Sequence, residues 1–175
     1  MISLYINNNL KGMNYMKKEI ILAYDNNEEI EELFKEYTEM LVKNDSNFAK
    51  YLEIQNYDSE LEHLSDKYGL PDGRLYIVKV EDKAAGCIAL RKIDDENCEM
   101  KRLYVRPEFR GHNIANKLVE MIIYDAKTIG YKTMLLDTLP FLEGAIHLYK
   151  KFGFYEIESY NNSPMDTSIY MKLDL

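Results

Sequence analysis

The sequence has almost nothing with which to bind a metal or cross a membrane. Its two cysteines, Cys87 and Cys98, form no CxxC pair and no ligand spacing, and no His, Cys, Asp and Glu cluster stands at metal-binding intervals. Both cysteines fall in strand-like runs, which points to buried free thiols; the other reading, a nucleophile, finds no histidine close by in sequence. Free thiols fit a reducing cytoplasm. No apolar run is long enough to span a bilayer as a helix, so no membrane partner is expected. The opening "MISLYINNNLKGMNYMKK" lacks the basic-then-apolar order of a secretory signal. Basic residues are outnumbered, with 22 Lys and Arg against 30 Asp and Glu and a net charge of −8. Such a chain is a poor general binder of nucleic acid and mildly favours a cationic substrate. Three suitably spaced glycines are absent, which excludes a dinucleotide fingerprint, and without Gly-Lys-Ser/Thr there is no Walker A loop.

What is present is an ordinary globular composition, 46% hydrophobic and 30% charged, in a chain of 175 residues, enough for one domain with a real core. Residues 1–15, rich in Asn, read as a loose extension, with Met13 and Met16 as alternative starts. Residues 16–175 read as a single domain without repeats or linkers. "KKEIILAY" predicts a first strand over 18–24. Asp25 or Asn26 then caps a helix with Ile30, Leu33, Phe34, Tyr37 and Leu41 at helical spacing. Residues 47–68 look helical but broken and polar. After the turn signal "GLPDG" come strands over 74–80, 84–93 and 99–105, the first two a hairpin. Ile114, Leu118, Met121, Ile122 and Ala126 mark a second long helix. A buried strand over 132–138, a helix over 143–152 closed by Gly153, and the strands "FYEIESY" and "SIYMKLDL" complete the chain. The order β-α-(α)-β-β-β-α-β-α-β-β indicates a mixed α/β fold.

The stretch "RPEFRGHNIANKL" stands out because it feeds a helix N-terminus with little side-chain bulk. The first N–H groups of a helix are free and carry the positive end of its dipole, a ready anion site. Gly111 allows close backbone approach, Ala115 keeps the first turn small, and Arg110 adds charge and directional donors. Together they suit a pyrophosphate. A capped helix with a surface arginine accounts for the same residues.

The run Leu103-Tyr104-Val105-Arg106-Pro107-Glu108-Phe109-Arg110-Gly111-His112-Asn113-Ile114-Ala115 resembles the acetyl-CoA motif of the GNAT superfamily of N-acetyltransferases. Downstream, "AIHLYKKFGF" (145–154) is similar to that superfamily's second motif, A-x-x-LY-x-x-x-GF, and the helix and strand between the two fit as well. The resemblance spans Ile20 to the C-terminus. It implies a central, mostly antiparallel sheet of about seven strands, splayed between the fourth and fifth, flanked by about four helices. It also implies acetyl-CoA as co-substrate, no metal, and a cofactor site of Leu103, Tyr104, Val105, Arg110, Gly111, His112 (through its backbone N–H), Asn113, Ile114, Ala115 and Asn116. Two departures stand out: Asn113 replaces the usual glycine, and Leu142 replaces an asparagine that contacts the thiol arm. Asn is a good N-cap and tolerates positive φ better than most residues, so cofactor binding is expected to survive.

Acetyl transfer by direct attack, as the resemblance implies, makes three demands. The carbonyl oxygen needs a backbone donor, expected on Leu103 to Val105, with a bulge near Arg102 helping the strand to open. The leaving thiolate needs an acid. Tyr149, at the tyrosine of the second motif, fits, since a phenol near about 10 and a thiol near about 8.5 exchange a proton without a steep cost; a packing tyrosine is the other reading. The amine needs a base, for which Glu99 is the candidate, weighed against a strand residue paired with Lys101 or Arg102. His147 is a weaker rival, and His63 and His112 have no better claim. The acceptor would enter between 37–68 and 159–168. Tyr160, Asn161 and Asn162 there are either recognition groups or an ordinary turn, and Glu53, Asp58, Glu60 and Glu62 either draw a cation or form a solvated face. The favoured acceptor is a small-molecule amine. A protein or peptide acetylase and a CoA-binding module without catalysis are the alternatives, and homodimers are common among such proteins.

Overall fold

Strand alternation divides the core between two faces of one sheet. In the computed structural model, which describes residues 4–5, 17–54, 57–161, 163 and 165–175, the strands are β1 (Leu4–Tyr5), β2 (Lys18–Leu22), β3 (Arg74–Val80), β4 (Lys83–Lys92), β5 (Asn97–Val105), β6 (Thr133–Thr138), β7 (Tyr155–Ile157) and β8 (Ile169–Asp174). They form one eight-stranded sheet in the order β1-β2-β3-β4-β5-β6-β8-β7. All neighbours are antiparallel except β5 and β6. Seven of these strands are the expected ones; the eighth, β1, is the two-residue pairing of Leu4 and Tyr5 with β2.

Successive side chains of a strand point to opposite faces. On β3, Leu75 and Ile77 join one hydrophobic cluster while Tyr76, Val78 and Val80 join another. The first face is covered by α1 (Asn27–Asn44), through Ile30, Leu33 and Phe34, and by α4 (Leu64–Tyr68). The second is covered by α5 (Ile114–Ile129), through Ile114, Leu118, Val119, Ile122 and Ala126, and by Leu148 and Tyr149 of α6 (Glu143–Lys151). The α5 stripe keeps Ile114, Leu118, Ile122 and Ala126 and adds Val119, while Met121, expected in it, packs at its margin. Two short helices, α2 (Phe48–Ile54) and α3 (Tyr57–Glu62), precede α4, so the broken helical segment resolves into three pieces.

Two irregularities of β5 position the site. It pairs with β6 only from Asn97 to Glu99. Beyond that the strands part, and β6 stays paired with β8 out to Thr138. On its other side, Cys87 of β4 faces Tyr104 and Ala89 faces Lys101, so Ile88 alone stands opposite Arg102 and Leu103. This β-bulge lies where the parting strand needs it. Arg102 takes the left-handed backbone conformation, φ 58°. Gly86 is required just beyond, because a Cβ there would sit 2.5 Å from the Tyr104 carbonyl oxygen.

Candidate active site

The opening between β5 and β6 holds three adjoining spaces. A cleft of about 540 Å³ is walled by Leu103, Tyr104 and Val105 of β5 and by Gly144, Ala145, Leu148 and Tyr149 of α6. It leads to a cradle of about 310 Å³ lined by Val105, Phe109, Arg110, Gly111, Asn113, Ile114, Ala115 and Asn116. At its other end lies a smaller, part-open cavity of about 50 Å³, whose wall includes Met100, Lys101, Arg102, Asp137, Thr138 and Ser168. Tyr37, Leu103, Leu142 and Tyr149 line both the cleft and the cavity.

Nine of the ten cofactor-site residues expected from the sequence line the cleft or the cradle. The exception is His112, which lines neither; its carbonyl oxygen instead accepts a hydrogen bond from Lys18 Nζ at 3.2 Å. Arg110 borders both spaces, and its Nε donates to the Val105 carbonyl at 3.0 Å. Arg106 is committed elsewhere: its guanidinium holds Glu36, with Nη2 2.7 Å from Oε1, and donates to the Ala84 carbonyl at 2.8 Å, fastening the end of β5 to α1. The cradle suits a pyrophosphate on one observation. Gly111 has φ 79° and a Cβ added there would meet nothing within 4 Å, so bare backbone faces open space at the start of α5. Asn113 explains its own presence: it is the N-cap residue of α5 but has φ 62°, and its side chain makes no capping hydrogen bond. Tolerance of positive φ, not capping, is what the residue supplies.

Tyr149 is buried at the junction of cleft and cavity. Among the described residues its hydroxyl has no hydrogen-bond partner, while its ring packs on Phe154 at 5.8 Å. Burial, then the nearby Tyr37 and Asp137, pushes its phenol well above the ordinary value, so it stays protonated at neutral pH and gives its proton to a thiolate at a greater cost than an ordinary phenol would.

Glu99 is placed differently from a direct base. It is fully buried and lines none of the three spaces. Its carboxylate receives Arg91 and accepts a hydrogen bond from Tyr160 at 2.6 Å, and Lys101 Nζ stands 3.7 Å away. Burial raises its carboxyl, but Lys101, Arg91 and Tyr160 together hold it below the usual carboxylate range. It is the partnered strand residue of the two readings, tied to Lys101 but not to Arg102. Arg102 pairs instead with Glu60 of α3, at 2.8 and 3.0 Å, and lies over the rings of Phe34 and Tyr57.

The other acceptor-side candidates sort as follows. Glu60 is buried in that pair, while Glu53 and Glu62 are exposed; the side chain of Asp58 and all of Asn162 lie outside the described residues. Tyr160 reaches inward to Glu99, and Asn161 makes a turn, its Oδ1 accepting from the Ser163 N–H at 3.0 Å. His147 is exposed on α6, and His63 is exposed with Nδ1 3.2 Å from the Ser59 carbonyl. Tyr37, at the edge of the expected acceptor region, lines both the cleft and the cavity, and Asp137 and Thr138 line the cavity without having been expected there. The last two close β6, at the end of a strand where a parallel pair parts, and that position is a signal for a binding crevice.

A family model, the acetyltransferase (GNAT) family, matches residues 27–154. This chain is a GNAT acetyltransferase. An uncharacterized N-acetyltransferase of Schizosaccharomyces pombe is 42% identical over 130 residues, 73% of this chain and 80% of its own length. An acetyltransferase structure from Streptococcus agalactiae superposes with a TM-score of 0.73 at 21% identity, covering 90% of this chain and 98% of its own, a likeness of fold. A GNAT family acetyltransferase of Elizabethkingia anophelis, with acetyl-CoA bound, superposes with a TM-score of 0.52 at 26% identity, over 59% of this chain and 77% of its own. The splayed sheet is thus the GNAT fold, and the protein is an acyltransferase.

Proposed function

We propose that this GNAT enzyme transfers the acetyl group of acetyl-CoA directly to a primary amine of a small acceptor, within a ternary complex. The observation that carries this reading is the meeting of two spaces at Tyr149, a cleft ending in an anion cradle and a smaller cavity. The cradle takes the pyrophosphate on the free N–H groups at the start of α5, with Arg110 turning from the Val105 carbonyl to the phosphate. The relative with acetyl-CoA bound supports the same occupant. A cavity of only about 50 Å³ suits a small acceptor better than a peptide chain.

The acceptor amine arrives as an ammonium and loses one proton before attack. Asp137 is the carboxylate that lines the cavity, and it holds the ammonium and passes this proton to water. The nitrogen then attacks the thioester carbon, forming a C–N bond. The developing oxyanion is met by a backbone N–H at the bulge, where Leu103 lines both spaces and has no partner of its own on β4. Collapse breaks the C–S bond, and the sulfur leaves with the electron pair. Tyr149 protonates the thiolate and recovers a proton from the amide nitrogen through water. One proton is released overall. Glu99 acts behind this as a positioning residue, holding Lys101 at the cavity wall.

The test is a thiol-release assay with acetyl-CoA and a panel of amines, amino acids, polyamines and peptides, beside calorimetry with CoA. Turnover with small amines and weak or no turnover with peptides is expected. Tight CoA binding with no turnover on any acceptor would instead make the protein a CoA-binding module, and preference for peptides would make it a protein acetylase.

A further inference from the structure

Lys101 poses a problem that its own protein neighbours do not solve. Its side chain is only 9% exposed and lines the small cavity. The two carboxylates nearest it, Glu99 and Asp137, both stand 3.7 Å from Nζ, beyond hydrogen-bond distance. Among the described residues no acceptor lies within that distance of its ammonium. The neighbouring cations are satisfied: Arg91 is received by Glu99 and Arg102 by Glu60. A second polar atom of the same cavity shares the condition. Thr138 Oγ1 is buried and has no hydrogen-bond partner among the described residues. A buried ammonium that is ion-paired at 3.7 Å but has no hydrogen-bond acceptor, and a buried hydroxyl without a partner, are both costly, and the two open onto one small space beside Tyr149.

We propose that Lys101 and Thr138 receive a carboxylate of the acceptor, so that the substrates of this enzyme carry a carboxylate beside the amine, as α-amino acids do. The proposal rests on the acetyl-transfer reading above. Lys101 and Asp137 present a cation and an anion side by side, complementary to a head group whose ammonium and carboxylate are separated by one carbon. Leu41, Phe48, Leu139 and Leu142 complete the wall and face the acceptor's apolar remainder. A simple alkylamine leaves Lys101 without a hydrogen-bond acceptor and Thr138 without a partner, and a polyamine adds a second positive charge next to Lys101. Both are disfavoured by the same physics. The chemistry of transfer is unchanged: the C–N bond forms on the α-amine, the C–S bond breaks, and the carboxylate takes no part in the bond changes.

The experiment compares matched pairs that differ only in the carboxylate, leucine against isopentylamine and phenylalanine against phenethylamine, by kcat/KM in the thiol-release assay. The same comparison is made for binding, titrating the CoA-loaded protein with the N-acetylated member of each pair in a calorimeter. The carboxylated member is expected to win by at least 10-fold in both readouts. In Lys101→Met the advantage falls to within 2-fold, and in Thr138→Val it shrinks while acetyl-CoA affinity stays within 2-fold. Equal use of both members, or an advantage that survives in Lys101→Met, overturns the proposal and leaves acetyl transfer standing. Absence of turnover and of product binding for every pair, with acetyl-CoA still bound, overturns both.

Discussion

Removing Glu60 tests what keeps the bulge in place. In Glu60→Gln the Arg102 guanidinium stays buried with two ring faces, at 5.5 and 5.1 Å, and no carboxylate. Breaking one side of a buried ion pair costs about 3–5 kcal/mol. The carboxyl itself gives a second route to the number. Burial raises it, but Arg102 and Lys67 hold it at about 2 against 4.5, a displacement worth about 3 kcal/mol at neutral pH. Because the folded value is the lower one, this stabilisation is complete above pH 4.5 and is lost as the pH falls through 2. For a chain of this length each kcal/mol moves the melting point by about 2–4 °C, so Glu60→Gln is expected to melt about 6–20 °C lower at pH 7. The deficit narrows toward pH 2. The assay is thermal and urea unfolding of wild type, Glu60→Gln, Arg102→Met and the double variant. The double variant is expected to recover much of the loss, because neither charge is then stranded. Its acetyl-CoA affinity is retained, while kcat falls as the Leu103 N–H loses its aim. A loss under about 1 kcal/mol, or strictly additive losses in the double variant, would refute the reasoning.

Three further outcomes are expected. Tyr149→Phe lowers kcat by about 10²–10⁴-fold, the usual range for losing a positioned acid, with acetyl-CoA affinity within a few-fold by calorimetry; unchanged kcat would remove it from the mechanism. Asn113→Gly binds CoA and folds as well as wild type, whereas Asn113→Val, forced to φ near 62°, destabilises by about 1–2 kcal/mol in urea unfolding; equal stability of the two variants would show that the backbone conformation there is not strained. Cys87 and Cys98, whose thiols burial pushes up to about 12, resist a chromogenic disulfide reagent at pH 8 until the protein is unfolded; rapid labelling of the native protein would contradict their placement.

Much of the architecture was readable because it depends on local pattern. The apolar spacing of Ile30, Leu33 and Phe34 and the alternation of 74–80 each identify one element and one face. The loop that lines the cradle was readable too, since Arg110, Gly111 and Ala115 lie within a few residues of each other. What escaped lies in pairings across the chain. Glu60 and Arg102 are 42 residues apart, and nothing local marks Glu60 among its acidic neighbours. Glu99 was read from its strand position, but whether it faces a cavity depends on Tyr160, 61 residues away, folding back onto it. Lys101, Asp137 and Thr138 share a wall only because β5 bends away from β6, and that bend is a property of two registers together. Periodicity assigns a face to a residue without naming what stands opposite.

The wall shared by cleft and cavity has a thermodynamic consequence. Tyr37, Leu103, Leu142 and Tyr149 belong to both spaces, so whatever fills one sets the rotamers and water that the other ligand meets. Each ligand therefore changes the other's affinity, and by the same factor in both directions. On the proposed reading the thiol arm supplies one side of the acceptor's binding surface, so an acceptor is expected to bind more weakly to the empty enzyme than to the loaded one. Conversely, an acceptor already in place is expected to slow the departure of acetyl-CoA.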